Sequence, residues 1–298
     1  MESVETFAIY IAFAFLSFAL SFICLGLVRK IRARMQNRKG PPITQPIWDF
    51  FKLIGKEEIY NGLAQNFLLI LSVFFSLTAA IITLSLIFGV IQSINFLFLA
   101  YFMAFPQILI CLAGISSKNV YSMIGGERGI IQSVLSEIIF IFGSSLFIFC
   151  LFKTLNIYPE MHHKFTLFLL LPIVLLYIPV LMSIIAQINL NPFSISDAHQ
   201  EIVSGYATEF SGIAYAYYLL SKSLKFLSLL LITSFLFMGV FFMKKVLPVA
   251  IFSILALFVA SWISVSLPRM RINRYVKITL LLLLLEILGG LMLYAKVV

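Results

Sequence analysis

The sequence predicts an all-α, polytopic membrane protein of about eight transmembrane helices, with a cytoplasmic amphipathic helix after the first. Three observations lead there. Of the 298 residues, 62% are hydrophobic and 11% charged, with a mean hydropathy of +1.08; a soluble domain has about 45–50% apolar and about 25% charged residues. The apolar residues fall in blocks of about 20, the length a helix needs to cross a bilayer. The cations gather between alternate blocks.

The blocks run approximately over 6–28, 67–92, 95–115, 130–152, 165–186, 209–240, 247–267 and 277–296. The second and third are parted only by Ile91-Gln92-Ser93-Ile94, and the sixth is long enough to tilt or to reach into water. The whole chain, 1–298, reads as one membrane domain with cytoplasmic loops at 29–66, 116–129, 187–208 and 268–276. Of the 21 Lys and Arg, 14 lie in those loops or at Lys277 on their border, and five lie on the other side. Positive residues stay cytoplasmic, so both termini are expected outside a cell membrane. The acidic start, Met1-Glu2-Ser3-Val4-Glu5, lacks the basic stretch of a cleaved signal peptide, so the first span is expected to be retained.

The first loop is the densest signal. Arg29–Glu58 is basic, then broken at Gly40-Pro41-Pro42, then amphipathic. From Gln45 to Gly55, helical spacing gathers Ile47, Phe50, Phe51 and Ile54 on one stripe, with Asp49, Lys52 and Lys56 elsewhere. Such a helix lies on a membrane surface or under a partner.

Several function classes drop out. Cys24, Cys111 and Cys150 form no C-x-x-C pair, so neither an iron–sulfur cluster nor structural zinc is expected. His162 and His163 sit in an outer loop, and no histidines face each other at mid-span as a haem requires. There is no phosphate-binding or dinucleotide glycine pattern. The net charge of +9 is not spread over a soluble face and implies no nucleic-acid partner. The chain is expected to bind no metal or cofactor itself.

Ionisable residues within spans are costly and mark ion or substrate pathways. Glu137 lies in the fourth span; Glu209 opens the sixth; Lys222 and Lys225 follow on one face of it; Glu286 is mid-way through the eighth. Lys225 and Glu286 read equally well as structural ion-pair members. Glu137 and Glu209 read as functional because of the loop 187–209, which has no Lys or Arg but carries Asp197, His199, Glu201 and Glu209. If helical, it would stack Asp197 and Glu201 four residues apart, each raising the other's pKa. Asn191-Pro192 and Ser204-Gly205 look like turns that hold a re-entrant or buried segment. A solvated acidic loop is the plainer alternative.

The first loop carries Arg34, Gln36, Arg38, Gly40 and Pro41, then Gln45, Pro46, Asp49, Lys52, Leu53, Lys56 and Glu57. A second block holds Gly114, Ser116, Ser117, Tyr121, Gly125, Arg128, Gln132 and Glu137. A third runs Pro192-Phe193, Asp197-Ala198-His199-Gln200-Glu201-Ile202-Val203, Gly205, then Glu209-Phe210-Ser211-Gly212; a weaker fourth is Pro268-Arg269-Met270-Arg271. With these residues the chain resembles the membrane-anchor subunit of respiratory complex I, the subunit 1/H family, and its relatives in energy-converting hydrogenases and formate hydrogenlyase.

The resemblance implies an anchor and coupling role, non-catalytic in itself. Arg34, Gln36, Arg38, Asp49, Lys52, Lys56, Glu57 and Arg128 would face a hydrophilic arm of iron–sulfur and hydrogenase-like subunits. Glu137, Asp197, His199, Glu201 and Glu209 would relay redox changes as proton or ion movement toward antiporter-like membrane subunits. Iron–sulfur clusters, and in the hydrogenase branch a nickel–iron centre, would belong to those partners. Departures from the complex I pattern at Gln187, Leu190, Ser194 and His199, and a first loop with only Ile43-Thr44 after Pro42, favour the ferredoxin-linked hydrogenase or sulfur-reductase branch. The alternatives are a quinone-binding subunit of a complex I-type dehydrogenase and a stand-alone secondary transporter. Against the transporter stand the long first loop and the want of an internal repeat.

Overall fold

A computed structural model describes residues 2–57, 62–91, 95–157, 167–242 and 246–297. Gln92-Ser93-Ile94, His162-His163 and the Cys150 side chain lie outside the described residues. Among the described residues all regular structure is helical: α1 Glu2–Met35, α2 Gln45–Ile54, α3 Leu63–Ile87, α4 Phe96–Ile115, α5 Val120–Ile157, α6 Leu167–Gln187, α7 His199–Ile202, α8 Gly212–Phe242, α9 Val246–Ser266 and α10 Ile272–Val297.

Eight of these are long, at the eight expected places. Seven contain a described stretch long and apolar enough to cross a membrane. The other, α6, has 21 residues with Pro172 and Pro179 inside it; neighbouring helices can satisfy the backbone groups such prolines free. Helix α8 sits centrally, against α1, α3, α4 and α9, while α5 packs on α4, α6 and α10. The main core interlocks Phe140 and Phe147 of α5 with Val180 and Ile184 of α6 and Phe226 and Phe237 of α8. Outward faces stay apolar, as lipid demands: Ile254, Phe258 and Trp262 on α9, and Leu280, Leu284 and Leu291 on α10, are all exposed. Hydroxyls along the spans, such as Ser72, Thr83 and Ser228, bond to carbonyls of their own helices.

Three boundaries differ from the sequence reading. Helix α1 does not stop at Val28 but carries its basic residues two further turns to Met35. The expected loop 116–129 is mostly helix, because α5 begins at Val120. Its Gly125, Gly126 and Gly129 weaken helix propensity, and close packing outweighs that: a Cβ on Gly126 would come within 2.8 Å of the Cys111 carbonyl oxygen of α4. The acidic loop forms only α7 and a 3₁₀ turn, Gly205–Thr208, with irregular chain around them.

Candidate functional site

The connections after α1, α4, α6 and α9 meet at one end of the bundle. Arg29 of α1 pairs with Asp49 of α2 at 3.1 Å. The Met270 amide donates to the Pro192 carbonyl at 3.0 Å, and Arg128 of α5 reaches Glu201 of α7 at 2.8 Å.

The acidic loop is held by glycine contacts. A Cβ on Gly125 would lie 2.6 Å from the Gly205 Cα, and one on Gly114 would overlap the Tyr206 Cβ. Only hydrogen at these positions lets the loop settle on α4 and α5. Val203, Ser204 and Gly205 all have positive φ, a conformation unfavourable for a β-branched residue such as Val203. It turns Tyr206 inward to complete burial. There Asn189 Nδ2 donates to the Tyr206 hydroxyl at 2.8 Å and Gln107 Nε2 at 3.3 Å. Burial pushes the Tyr206 phenol well above its ordinary pKa. Gln132 Nε2 faces the Asn189 side chain at 2.9 Å and the Phe193 carbonyl at 2.6 Å. The loop is thus divided: Asn189, Phe193, Ile195 and Tyr206 are buried, whereas His199, Gln200, Glu201 and Val203 are exposed.

The five acidic and His positions are each held by a different group. Asp197 accepts from Lys222 of α8 at 3.1 Å, and the same ammonium donates to the Tyr218 hydroxyl at 3.0 Å. One turn deeper on α8, Lys225 donates to Glu137 of α5 at 2.9 Å, with both side chains buried. Glu209 accepts from Asn119, and His199 Nδ1 meets Ser204 Oγ. Asp197 and Glu201 therefore do not stack as a mutually perturbing acid pair. The helix that would have placed them so is only four residues long, and each carboxylate points to a different cation. The Arg128 hydrogen bond holds Glu201 below the usual carboxylate range, opposite to the expected direction.

The sequence marked Lys222 and Lys225 but not their partners. Glu286 does not pair with Lys225; it is fully buried, and neither oxygen has a hydrogen-bond partner among the described residues. Gln132, Asn189, Gln107 and Tyr206 form a network that no sequence motif announces. Their one signal was polarity inside apolar stretches. Gln132 Oε1, Glu137 Oε2 and both amide atoms of Gln187 are also buried without a hydrogen-bond partner among the described residues.

On the first-loop side, Arg34, Gln36, Arg38, Lys52, Lys56 and Glu57 are exposed and Asp49 is half-buried in its bridge to Arg29. The stripe on α2 is rotated from the expected one. Ile47, Phe50 and Leu53 pack with Phe18 and Phe22 of α1 and Ala216 of α8, whereas Phe51 and Ile54 join Trp48 on the exposed side. Arg128 stands apart from this surface, against α7. Among the described residues no group of His, Cys, Asp and Glu could hold a metal ion.

The family model for NADH dehydrogenase matches residues 7–295. The H subunit of NADH-quinone oxidoreductase from Thermomicrobium roseum is 30% identical over 301 residues, covering 86% of this chain and 87% of that one. The Bacillus cytotoxicus protein of the same name is 27% identical, covering 91% and 89%. NADH-ubiquinone oxidoreductase chain 1 of Mycosarcoma maydis is 26% identical, covering 82% and 81%. In fold, the chain resembles one from the membrane-bound sulfane sulfur reductase, an archaeal respiratory membrane complex, with a TM-score of 0.78, 23% identity, and 97% and 99% of the two chains covered. The helical bundle and these likenesses converge: the chain belongs to the NADH dehydrogenase family, complex I subunit 1/H, and is a membrane subunit of an oxidoreductase complex of that type.

Proposed function

We propose that this chain is the anchor and coupling subunit of an ion-pumping oxidoreductase complex of the ferredoxin-linked type, a membrane-bound hydrogenase or sulfur reductase. The observation that carries the reading is the alignment of two ion pairs on neighbouring turns of α8. Asp197–Lys222 lies at the loop and Lys225–Glu137 deeper between helices. A charge arriving at the loop face alters the field on Asp197. Lys222 and Lys225, three residues apart, are neighbours on one helix face and pass that change to Glu137. The unpartnered oxygens of Gln132 and Glu137, with the Gln187 amide, suit a hydrated polar path, since buried groups of this kind are commonly met by water.

The exposed face around Arg34, Gln36, Arg38, Lys52, Lys56 and Glu57, with Trp48 and Phe51 beside it, suits the docking of a hydrophilic arm. That arm would hold iron–sulfur clusters and, in a hydrogenase, a nickel–iron centre. Antiporter-like membrane subunits would receive the ion movement. The positive-inside bias puts the loop face in the cytoplasm and both termini outside.

A second reading, a quinone-binding subunit, is favoured by the names of the curated relatives, which are quinone and ubiquinone oxidoreductase subunits. Purification of the complex through a tag on this chain separates the two. The coupling reading expects iron–sulfur subunits to co-purify and reduced ferredoxin to drive ion uptake into vesicles without added quinone. Recovery of the chain alone, or activity that requires quinone, would contradict it.

A further inference from the structure

Where α9 hands over to α10, an open pocket of about 350 Å³ is lined by Arg128, Ile195, Glu201, Arg269, Arg271 and Ile272 among others. Three guanidinium-bearing residues thus surround a single carboxylate, and that carboxylate is already engaged by Arg128 at 2.8 Å. Arg269 has one weak contact, Nη2 to the Ile195 carbonyl at 3.4 Å, and its Nε is buried with no hydrogen-bond partner among the described residues. A buried N–H of this kind costs free energy until an acceptor arrives. The pocket also opens on the first turn of the 26-residue α10, whose leading amides and dipole favour an anion.

The surroundings say which anion. Ile272 lines the pocket, and Val276, Leu280 and Leu284 follow it at four-residue steps along α10, all exposed. These positions form one continuous ridge on a helix, inclined about 26° to its axis, leading from the pocket along the exposed apolar surface. Trp262 of α9 is also exposed near the same end, as indole rings are at headgroup depth. A headgroup in the pocket could therefore continue into acyl chains on that row, which a free ion or an acidic peptide would not use.

We infer that the Arg128–Arg269–Arg271 pocket binds the phosphate group of an anionic membrane lipid, with an acyl chain lying along Ile272, Val276, Leu280 and Leu284.

The test uses the intact detergent-purified complex, stripped of lipid and offered phosphatidylglycerol or phosphatidylcholine of identical acyl chains, with bound lipid counted by native mass spectrometry. The parent should retain phosphatidylglycerol in preference to phosphatidylcholine. Arg269→Gln and Arg271→Gln should each weaken that retention about fivefold, the factor for one basic residue at an anionic surface, and leave phosphatidylcholine unchanged. Arg271 is exposed, so its variant keeps the test valid if Arg269→Gln fails to assemble. Leu280→Asn should weaken phosphatidylglycerol retention too, which a site for free phosphate would not show. Inorganic phosphate that binds the delipidated parent and is lost in Arg271→Gln, with lipid retention unaffected, would overturn the lipid assignment. Equal phosphatidylglycerol retention by parent and both arginine variants would overturn the pocket itself, as would a carboxylate of another subunit cross-linked into it.

Discussion

Lys225 of α8 reaches Glu137 of α5 at 2.9 Å, and the two side chains are 2% and 7% exposed. They stand 88 positions apart in the chain, so the pair exists only once the bundle is assembled. An ion pair so far from water is costly to form and more costly to break than to replace. It is retained here although Leu224, Phe226 and Leu227 beside it are ordinary core residues.

Breaking the pair should destabilise the bundle. Lys225→Met leaves Glu137 without its cation and is expected to cost about 3–5 kcal/mol, the range for removing one partner of a buried pair. The double variant Glu137→Gln/Lys225→Met should recover most of that loss. Thermal denaturation of the purified complex reads both. Equal melting of single and double variants would show that the two residues do not interact.

The acidic loop should depend on glycine at position 125. Gly125→Ala places a methyl 2.6 Å from the Gly205 Cα, and backbone cannot yield as a flexible side chain can. The expected cost is about 1–3 kcal/mol, as for overpacking elsewhere, with lifting of the loop. Cys111 lies fully buried beside Gly129 and Tyr206. Its alkylation by maleimide should therefore accelerate in the variant; unchanged labelling would mean that the loop does not shift.

The Arg128–Glu201 bridge should respond to acid. Arg128 depresses the Glu201 pKa, so the bridge's contribution is fully present above the ordinary carboxylate range and is lost as pH falls through the depressed value. Proteolysis near Val203, which is exposed, should rise only once the pH is below the ordinary carboxylate range. Glu201→Gln should remove that step and give faster cleavage at neutral pH. A step in the parent above pH 5 would point to a different group.

The arm-docking face should tolerate change within this chain while affecting assembly. Arg34 and Arg38 are exposed, and surface substitutions of this kind typically move stability by about 0.5 kcal/mol or less. Reversing both to Glu should leave the membrane subunit folded and reduce the hydrophilic subunits recovered with it. Full recovery and full activity would remove this face from the interface.

The spans were legible because hydrocarbon imposes a length and a composition, and all eight long helices lie where apolar blocks predicted them. Their ends at the loop face were not, because helix continues wherever packing supports it. Arg32 and Arg34 ride on α1 past the apolar limit, and Gly125 and Gly129 fall inside α5. The ionisable residues were found one by one from their unusual setting, but partner choice is a tertiary property. Nothing local says that Lys225 faces Glu137 and not Glu286, or that Asp197 and Glu201 point to different cations. The α2 stripe failed for a related reason. Its apolar residues span more than one face, and only contact with Phe18 and Phe22 of α1 selects Phe50 as the buried one.

The coupling role is tested most directly by the ion-to-electron ratio of Glu137→Gln in sealed vesicles energised by reduced ferredoxin. The substitution keeps the side chain's shape and removes its charge and its proton. The expected result is near-parental electron transfer with ion uptake per electron clearly reduced. A parental ratio in an assembled variant would contradict the account and leave the Lys225–Glu137 pair as a structural contact.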